Sequence, residues 1–574
     1  MRRKSLLLGC VAAGVAAAVA PAGAQMQSQT ATSRQAMVVT DQHIASDVGR
    51  LVLEAGGNAI DAAVAIGYAL AVVDACCGNI GGGGFMTIHL QDGRDTFINF
   101  RERAPLKATP TLYQDQSGNV IPNLSLYGYL AVGVPGSVAG LEKAREEYGT
   151  KSRLALIAPA IALAEFGFVL DQGDIAELGP AAPEFARQPN VAAVFLNQGQ
   201  SYKVGERLVQ TDLARTLVRI AFGGAATFYK GPIADAVVAA SAANGGILSK
   251  ADFEHYTAEE FSPVGCTYRG YRVVSSPPPS SGGTVLCEVL NILTGYPLSR
   301  LGFHSTDAVH YTVEAERQAY ADRNTYLGDP DFVSNPLPQL LSPSYARRIR
   351  AGISPATAGS SATTVPGLGG IPVPVDEGPH TTHYSVLDRR GNAVGVTYTI
   401  NNGFGAGVIA GNTGFLLNDE MDDFTSKPGV PNLYGLVQGA VNDIRPGKRP
   451  LSSMSPSILL KGDDVYMVVG APGGSRIPTE VLGVIQNVID YGMDLDSAVA
   501  APRIHHQYLP DTVYLEPNAL SADVSAALQG EGYNLTQQTT TWGLAEAILV
   551  DQSTGLITGA TDPRRPDGLA TGPR

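Results

Sequence analysis

Residues 381–400 read TTHYSVLDRRGNAVGVTYTI, the densest strand signal in the chain. Two β-rich runs flank the turn Asp388-Arg389-Arg390-Gly391-Asn392, whose Asp, Asn and Gly tolerate tight backbone geometry. A three-residue loop over 389–391 sets the register, with Thr381 facing Thr399. One face then carries Thr382, Tyr384, Val386, Val394, Val396, Tyr398 and Ile400, nearly all apolar. The other carries Thr381, His383, Ser385, Gly395, Thr397 and Thr399, small and polar. A slip of one residue would mix the two sets, so their segregation supports the register. The same pattern also suits an ordinary half-buried hairpin whose threonines serve β-propensity.

Immediately upstream, 352–380 is made of Gly, Ser, Thr, Ala and Pro with few large apolar groups. Such a stretch buries too little surface to fold alone and reads as a flexible, exposed loop. Downstream, 465–469 reads as a strand, 471–475 (Ala-Pro-Gly-Gly-Ser) as a loop and 478–491 as a helix. A Gly-Gly turn before a helix offers free N–H groups to an anion or oxyanion. It serves equally as a plain tight connection.

Toward the N-terminus, 46–75 reads as two helices broken at Gly56-Gly57, with Asn58 as the next N-cap. The four glycines at 81–84 lead into strands at 85–90 and 95–100, and Arg101 falls where the second strand ends. From about 130 to 350 the pattern is mostly helical, with amphipathic segments near 137–147, 155–166, 231–243 and 307–324. The 66 Gly and 37 Pro argue for many tight turns rather than a helical bundle. The length suits two to four domains or one large composite fold.

A formal charge of −13 disfavours nucleic acid and anionic membrane surfaces as partners. Arg2, Arg3 and Lys4, an apolar run over 5–20 and Ala22-Gly23-Ala24 form a cleavable leader over 1–24. The expected location is therefore periplasmic or secreted, and no later stretch is long enough for a membrane span. Cys10 leaves with the leader; Cys76, Cys77, Cys266 and Cys287 remain as disulfides or buried thiols. Their spacing suggests no metal site, and the pair His505-His506 reads as structural. No G-x-S-x-G, H-E-x-x-H or strand-borne G-x-G-x-x-G occurs, so serine hydrolase, zincin and dinucleotide chemistries lack their parts.

The runs Thr381–Val386, Val396–Asn401 and Leu417–Phe424 resemble those of γ-glutamyltranspeptidases. So do Lys427–Gly435, Arg449–Pro456 and Gly473–Ile477, and upstream Gly81–Met86, Phe100–Glu102 and Gly133–Gly140. The resemblance runs in order through essentially the whole mature chain. It implies an α+β fold of the N-terminal-nucleophile hydrolase type, an αββα sandwich with two stacked central sheets flanked by helices. It also implies self-cleavage between His380 and Thr381, giving a large subunit, 25–380, and a small catalytic subunit, 381–574, that stay together as a heterodimer.

By the same resemblance Thr381 is nucleophile and, through its new α-amine, base. Thr399 orients its hydroxyl, and Gly473 and Gly474 form the oxyanion hole. Arg101, Ser452 and Ser453 hold a γ-glutamyl α-carboxylate, while Asn401, Glu420 and Asp423 hold its ammonium. Tyr434 belongs to a lid spanning 428–439. The implied substrates are glutathione and other γ-glutamyl compounds, with water, amino acids or dipeptides as acceptors and no cofactor or metal. A glutaryl or cephalosporin-type acylase of the same fold is the alternative, and an uncleaved amino-acid-binding protein a remote one.

Overall fold

The computed structural model describes residues 29–369, 381–430, 432–433 and 439–573. The expected leader over 1–24, the linker over 370–380 with His380, and Tyr434 lie outside these residues. Two seven-stranded sheets stack face to face. The hairpin sits in the middle of one, whose order is Leu569–Thr571, Met37–Thr40, Thr382–Leu387, Ala393–Thr399, Gly83–His89, Asp95–Asn99 and Glu259–Phe261. The facing sheet runs Gln29–Ser33, Leu556–Thr561, Glu546–Asp551, Asp464–Gly470, Ser457–Lys461, Tyr271–Ser275 and Val264–Tyr268. Both sheets draw strands from either side of residue 381, so a cut there leaves one interleaved body.

The hairpin register is as the alternation implies. Thr382 pairs with Tyr398, His383 with Thr397 and Ser385 with Gly395, all antiparallel. The burial, however, differs from that of a half-buried hairpin, because every residue of both strands is buried. The apolar face packs on a helical layer led by Ala59–Val73, itself buried throughout. Two tyrosines dock on that helix, Tyr384 donating to the Ala63 carbonyl at 3.0 Å and Tyr398 to that of Gly67 at 2.9 Å.

The polar face turns to the second sheet. Ser385 Oγ donates to the Glu546 carbonyl at 3.1 Å. The His383 ring meets Thr397 Oγ1 at 2.8 Å and Ser385 Oγ at 3.1 Å. Burial lowers the His383 pKa to about 3, so this imidazole is a neutral bridge between hydroxyls rather than a base. Toward the turn the same face becomes apolar. Leu387 and Ala393 join Met37, Val39, Ile458, Val468 and Ile548 in the inter-sheet core.

Local signals place the helices. The break at Gly56-Gly57 falls between His43–Glu54 and Ala59–Val73. Asn58 Oδ1 accepts from Asp61 N at 2.8 Å while Asp61 Oδ2 accepts from Asn58 N at 2.9 Å, a reciprocal capping box. On the far side, Gly282–Leu293, Thr306–Tyr326 and Ile477–Ile489 cover the second sheet, completing the αββα order. The open cysteine question resolves as two disulfides, Cys76–Cys77 and Cys266–Cys287.

The segment 353–369 has no regular structure, in keeping with its composition, but it is not detached from the body. Its backbone N–H groups find acids of the body: Gly359 donates to Glu314 at 3.0 Å, Ser361 to Asp511 at 2.8 Å and Gly367 to Asp322 at 2.6 Å. Composition reveals the lack of apolar groups here, whereas these anchors come from distant residues. Among the described residues, no helix is long and apolar enough to cross a membrane.

Candidate active site

Thr381 is the residue just before the strand Thr382–Leu387, and Thr399 closes the partner strand. Thr381 Oγ1 donates to Thr399 Oγ1 at 3.3 Å, and Thr399 Oγ1 also accepts from Asn401 N at 2.9 Å. The chain then leaves the sheet through a left-handed turn at Asn401, φ 76°. Such a conformation is unfavourable outside glycine and persists only where neighbours hold it. Asp419 does so, accepting from Asn402 N at 3.0 Å through its carboxylate and from Asn401 Nδ2 at 3.1 Å through its carbonyl.

Arg101 follows the strand Asp95–Asn99, with its N–H on Asn99 Oδ1 at 3.0 Å and its carbonyl on the Tyr256 hydroxyl at 2.8 Å. Its guanidinium is fully buried and ion-paired with Glu420 and Asp423, and Glu102 lies 3.6 Å away. The sequence reading gave Arg101 the carboxylate of a substrate's amino-acid head, and Glu420 and Asp423 its ammonium. Here they satisfy one another, because a buried charge needs a partner. Burial works against the arginine's charge, but Glu420, Asp423 and Glu102 outweigh it and hold Arg101 protonated. Burial pushes the carboxyls of Glu420 and Asp423 up despite Arg101, and raises Glu102 to about 7. A zwitterionic amino-acid head matches this cluster: its carboxylate can take the guanidinium while its ammonium takes the acids, with no change in net charge.

Ser452 and Ser453 rest on the loop at 277–283. Ser452 N donates to the Pro279 carbonyl at 2.8 Å, and Ser281 N donates to the Ser452 carbonyl at 2.7 Å. Arg323, on the helix Thr306–Tyr326, reaches Ser281 Oγ with Nε at 3.1 Å and Ser453 Oγ with Nη2 at 3.3 Å. Gly473 and Gly474 have φ of 135° and 58°, conformations that favour glycine.

One cavity gathers Arg101, Thr381, Thr399, Asn401, Glu420, Asp423, Ser452, Ser453 and Gly474. Gly473, one residue back, is not in its lining. Arg323, Leu451, Met454, Ser475 and Ile477 complete the wall. Sequence reasoning missed these, since Arg323 carries no local signal beyond its place on an amphipathic helix. A larger cavity elsewhere, lined by His304, Glu316, Glu480 and Arg503 among others, contains neither threonine. The pair His505-His506 is buried, His505 between Thr479 at 2.8 Å and Gln507 at 2.6 Å, and serves structure as expected.

Glu480 stands behind Gly473; a Cβ on that glycine would meet Glu480 Oε1 at 2.6 Å. Among the described residues neither carboxyl oxygen has a hydrogen-bond partner, and Arg503 is 3.9 Å away. Burial raises the Glu480 pKa to about 7, with Arg503 opposing. The folded state therefore holds a proton that the unfolded state releases above about pH 4.5, so stability falls as pH rises from there to about 7. Glu480→Gln removes this contribution. Its thermal stability relative to the parent is expected to improve between pH 5 and pH 8 by up to about 3 kcal/mol. Parallel unfolding curves for the two proteins across that range would contradict the assignment.

A sequence profile described as gamma-glutamyltranspeptidase matches residues 45–572. The chain belongs to the γ-glutamyltranspeptidase family. It is 56% identical to a glutathione hydrolase proenzyme of Pseudomonas sp. (strain A14), over 97% of this chain and 96% of that protein. It is 45% identical to a glutathione hydrolase proenzyme of Escherichia coli (strain K12), over 94% and 92% respectively. The fold overlays a cephalosporin acylase from Bacillus halodurans with a TM-score of 0.84 at 28% identity, covering 98% of this chain and all of the other (100%). The γ-glutamyltranspeptidase match runs unbroken across residue 381, so the two sides of that residue belong to one family unit.

Proposed function

We propose that the protein is an autoprocessed γ-glutamyltransferase and glutathione hydrolase. One observation carries the reading: the Thr381–Thr399 hydroxyl pair opens into the same cavity as the Arg101–Glu420–Asp423 cluster. A nucleophile thus lies beside a site matched to an amino-acid zwitterion. Cleavage between His380 and Thr381 gives a large subunit, 25–380, and a small subunit, 381–574, after loss of the leader on export to the periplasm or beyond.

The new α-amine of Thr381 has an ordinary pKa of about 7.7–8.0, suited to a base near neutral pH. Arg101, Ser452 and Ser453 take the α-carboxylate of the γ-glutamyl donor; Asn401, Glu420 and Asp423 take its ammonium. Thr381 Oγ attacks the γ-carbonyl carbon, and its proton passes to the α-amine. N–H groups of Gly473 and Gly474 hold the oxyanion. The C–N bond breaks as the amine returns the proton to the leaving nitrogen. Water, an amino acid or a dipeptide then attacks the Thr381 ester and releases the glutamyl group. Each step uses groups of this chain and its substrates.

The overlay with a cephalosporin acylase favours a second reading, in which the acyl group is glutaryl. A glutaryl group lacks the ammonium, and the buried acids Glu420 and Asp423 would then lose their partner, which a polar site penalises heavily. Intact mass under denaturing conditions and glutamate release from glutathione test the proposal. Two chains, the smaller beginning at Thr381, together with free glutamate are expected. Correctly cut protein that frees no glutamate would overturn it.

A further inference from the structure

The acids around Arg101 leave the substrate carboxylate short of donors. Glu420 and Asp423 already claim the guanidinium, and Glu102 adds a third negative neighbour. Ser452 and Ser453 can donate only if their hydroxyl protons point into the cavity. A hydroxyl rotates freely and would otherwise point toward the nearest acceptor.

Arg323 restricts that freedom. It is fully buried near the C-terminal end of the helix Thr306–Tyr326 and lines the cavity. Its Nη2 donates to Ser453 Oγ at 3.3 Å, and its Nε donates to Ser281 Oγ at 3.1 Å. A guanidinium has donors and no lone pair. Ser453 therefore accepts from Arg323 and must send its own proton elsewhere, and its other open side is the cavity. The positive charge on the accepting lone pair also polarises the O–H and strengthens it as a donor. Through Ser281 the same side chain braces the neighbouring serine, since Ser281 Oγ donates to the Ser452 carbonyl at 2.7 Å.

We infer that Arg323 is a positioning residue that fixes Ser453 as a hydrogen-bond donor to the α-carboxylate of the acyl donor. The inference rests on the γ-glutamyl reading above and adds a specificity determinant to it, contributed by the large-subunit side of the chain. Arg323 acts through Ser453, so its effect must track the substrate carboxylate and depend on the serine.

Three anilide donors separate the possibilities: γ-glutamyl, glutaryl, which keeps the carboxylate and lacks the amine, and 4-aminobutyryl, which keeps the amine and lacks the carboxylate. Arg323→Gln is expected to raise KM for the first two by about 10- to 100-fold, the range of a charge-assisted hydrogen bond, with kcat within about threefold. The 4-aminobutyryl donor should be unaffected. In a Ser453→Ala background the same change should cost less than about threefold. Ser281→Ala, a milder change that removes only the brace, should show a weaker version of the same donor selectivity and provides the test where Arg323→Gln does not fold. An equal loss on all three donors, or a full Arg323→Gln penalty without Ser453, would overturn the inference and leave Arg323 a structural residue. A parent enzyme that cleaves none of the donors would instead count against the functional reading itself.

Discussion

Thr381→Ala is expected to remain a single uncut chain and to release no glutamate from glutathione. The alanine lacks Oγ, so it offers no nucleophile to the bond before it and none to a substrate. With the bond intact no α-amine appears, and the general base is lost together with the nucleophile. Removal of such a unit costs at least about 10⁴-fold in rate. Thr381→Ser keeps the oxygen and loses only a methyl group, so slow cleavage and measurable turnover are expected from it. The fold should survive both changes, because Thr381 precedes the strand and the register is set by the pairs from Thr382–Tyr398 onward. Intact mass and glutamate release, with thermal unfolding as a control, check all of this. A cut chain from Thr381→Ala would remove Thr381 from the mechanism.

Arg101→Gln is expected to lower kcat/KM for γ-glutamyl donors by about 10³-fold or more, mostly through KM, because the proposed cationic partner of the carboxylate disappears. It also strips the cation from among Glu102, Glu420 and Asp423. Removing one member of a buried ion pair costs about 3–5 kcal/mol when its partners stay charged. Here the acids can escape by protonation: burial already holds their pKa values up, Glu102 at about 7, and Arg101 is the main charge that opposes it, joined at Asp423 by Arg323. The variant's acids therefore titrate higher still. Its stability deficit relative to the parent should be small near pH 5 and grow toward pH 8, since raised folded-state pKa values lose stability as pH rises. Arg101→Lys keeps the charge but not the planar fork, so it should recover the stability and little of the activity. A pH-independent deficit would show that the acids are not the partners of Arg101 in solution.

The sequence by itself determined the hairpin, its register and its two faces, because side-chain alternation has a period of two and a slip exposes the wrong set. Short-range chemistry likewise marked the Gly56-Gly57 break, the Asn58 cap and the strand ends around Arg101. The ordered motifs were enough to indicate the family and to pick out Thr381, Thr399, Asn401, Glu420, Asp423, Ser452 and Ser453, which the fold brings to one cavity.

Only the tertiary structure decided what those residues meet. Alternation separates polar from apolar but does not say that a second sheet, built from strands as distant as Glu546–Asp551, buries the polar face. Arg101 is paired with partners 319 and 322 positions away in the chain, and nothing near Arg101 announces their charge. Arg323 reaches Ser453 across 130 residues from the last turn of an otherwise ordinary helix. The physical reason is range. Backbone geometry and side-chain periodicity act over a few residues and are written locally, whereas ion pairs, hydroxyl orientation and raised carboxyl pKa values arise only when burial removes water from groups that the chain brings together last.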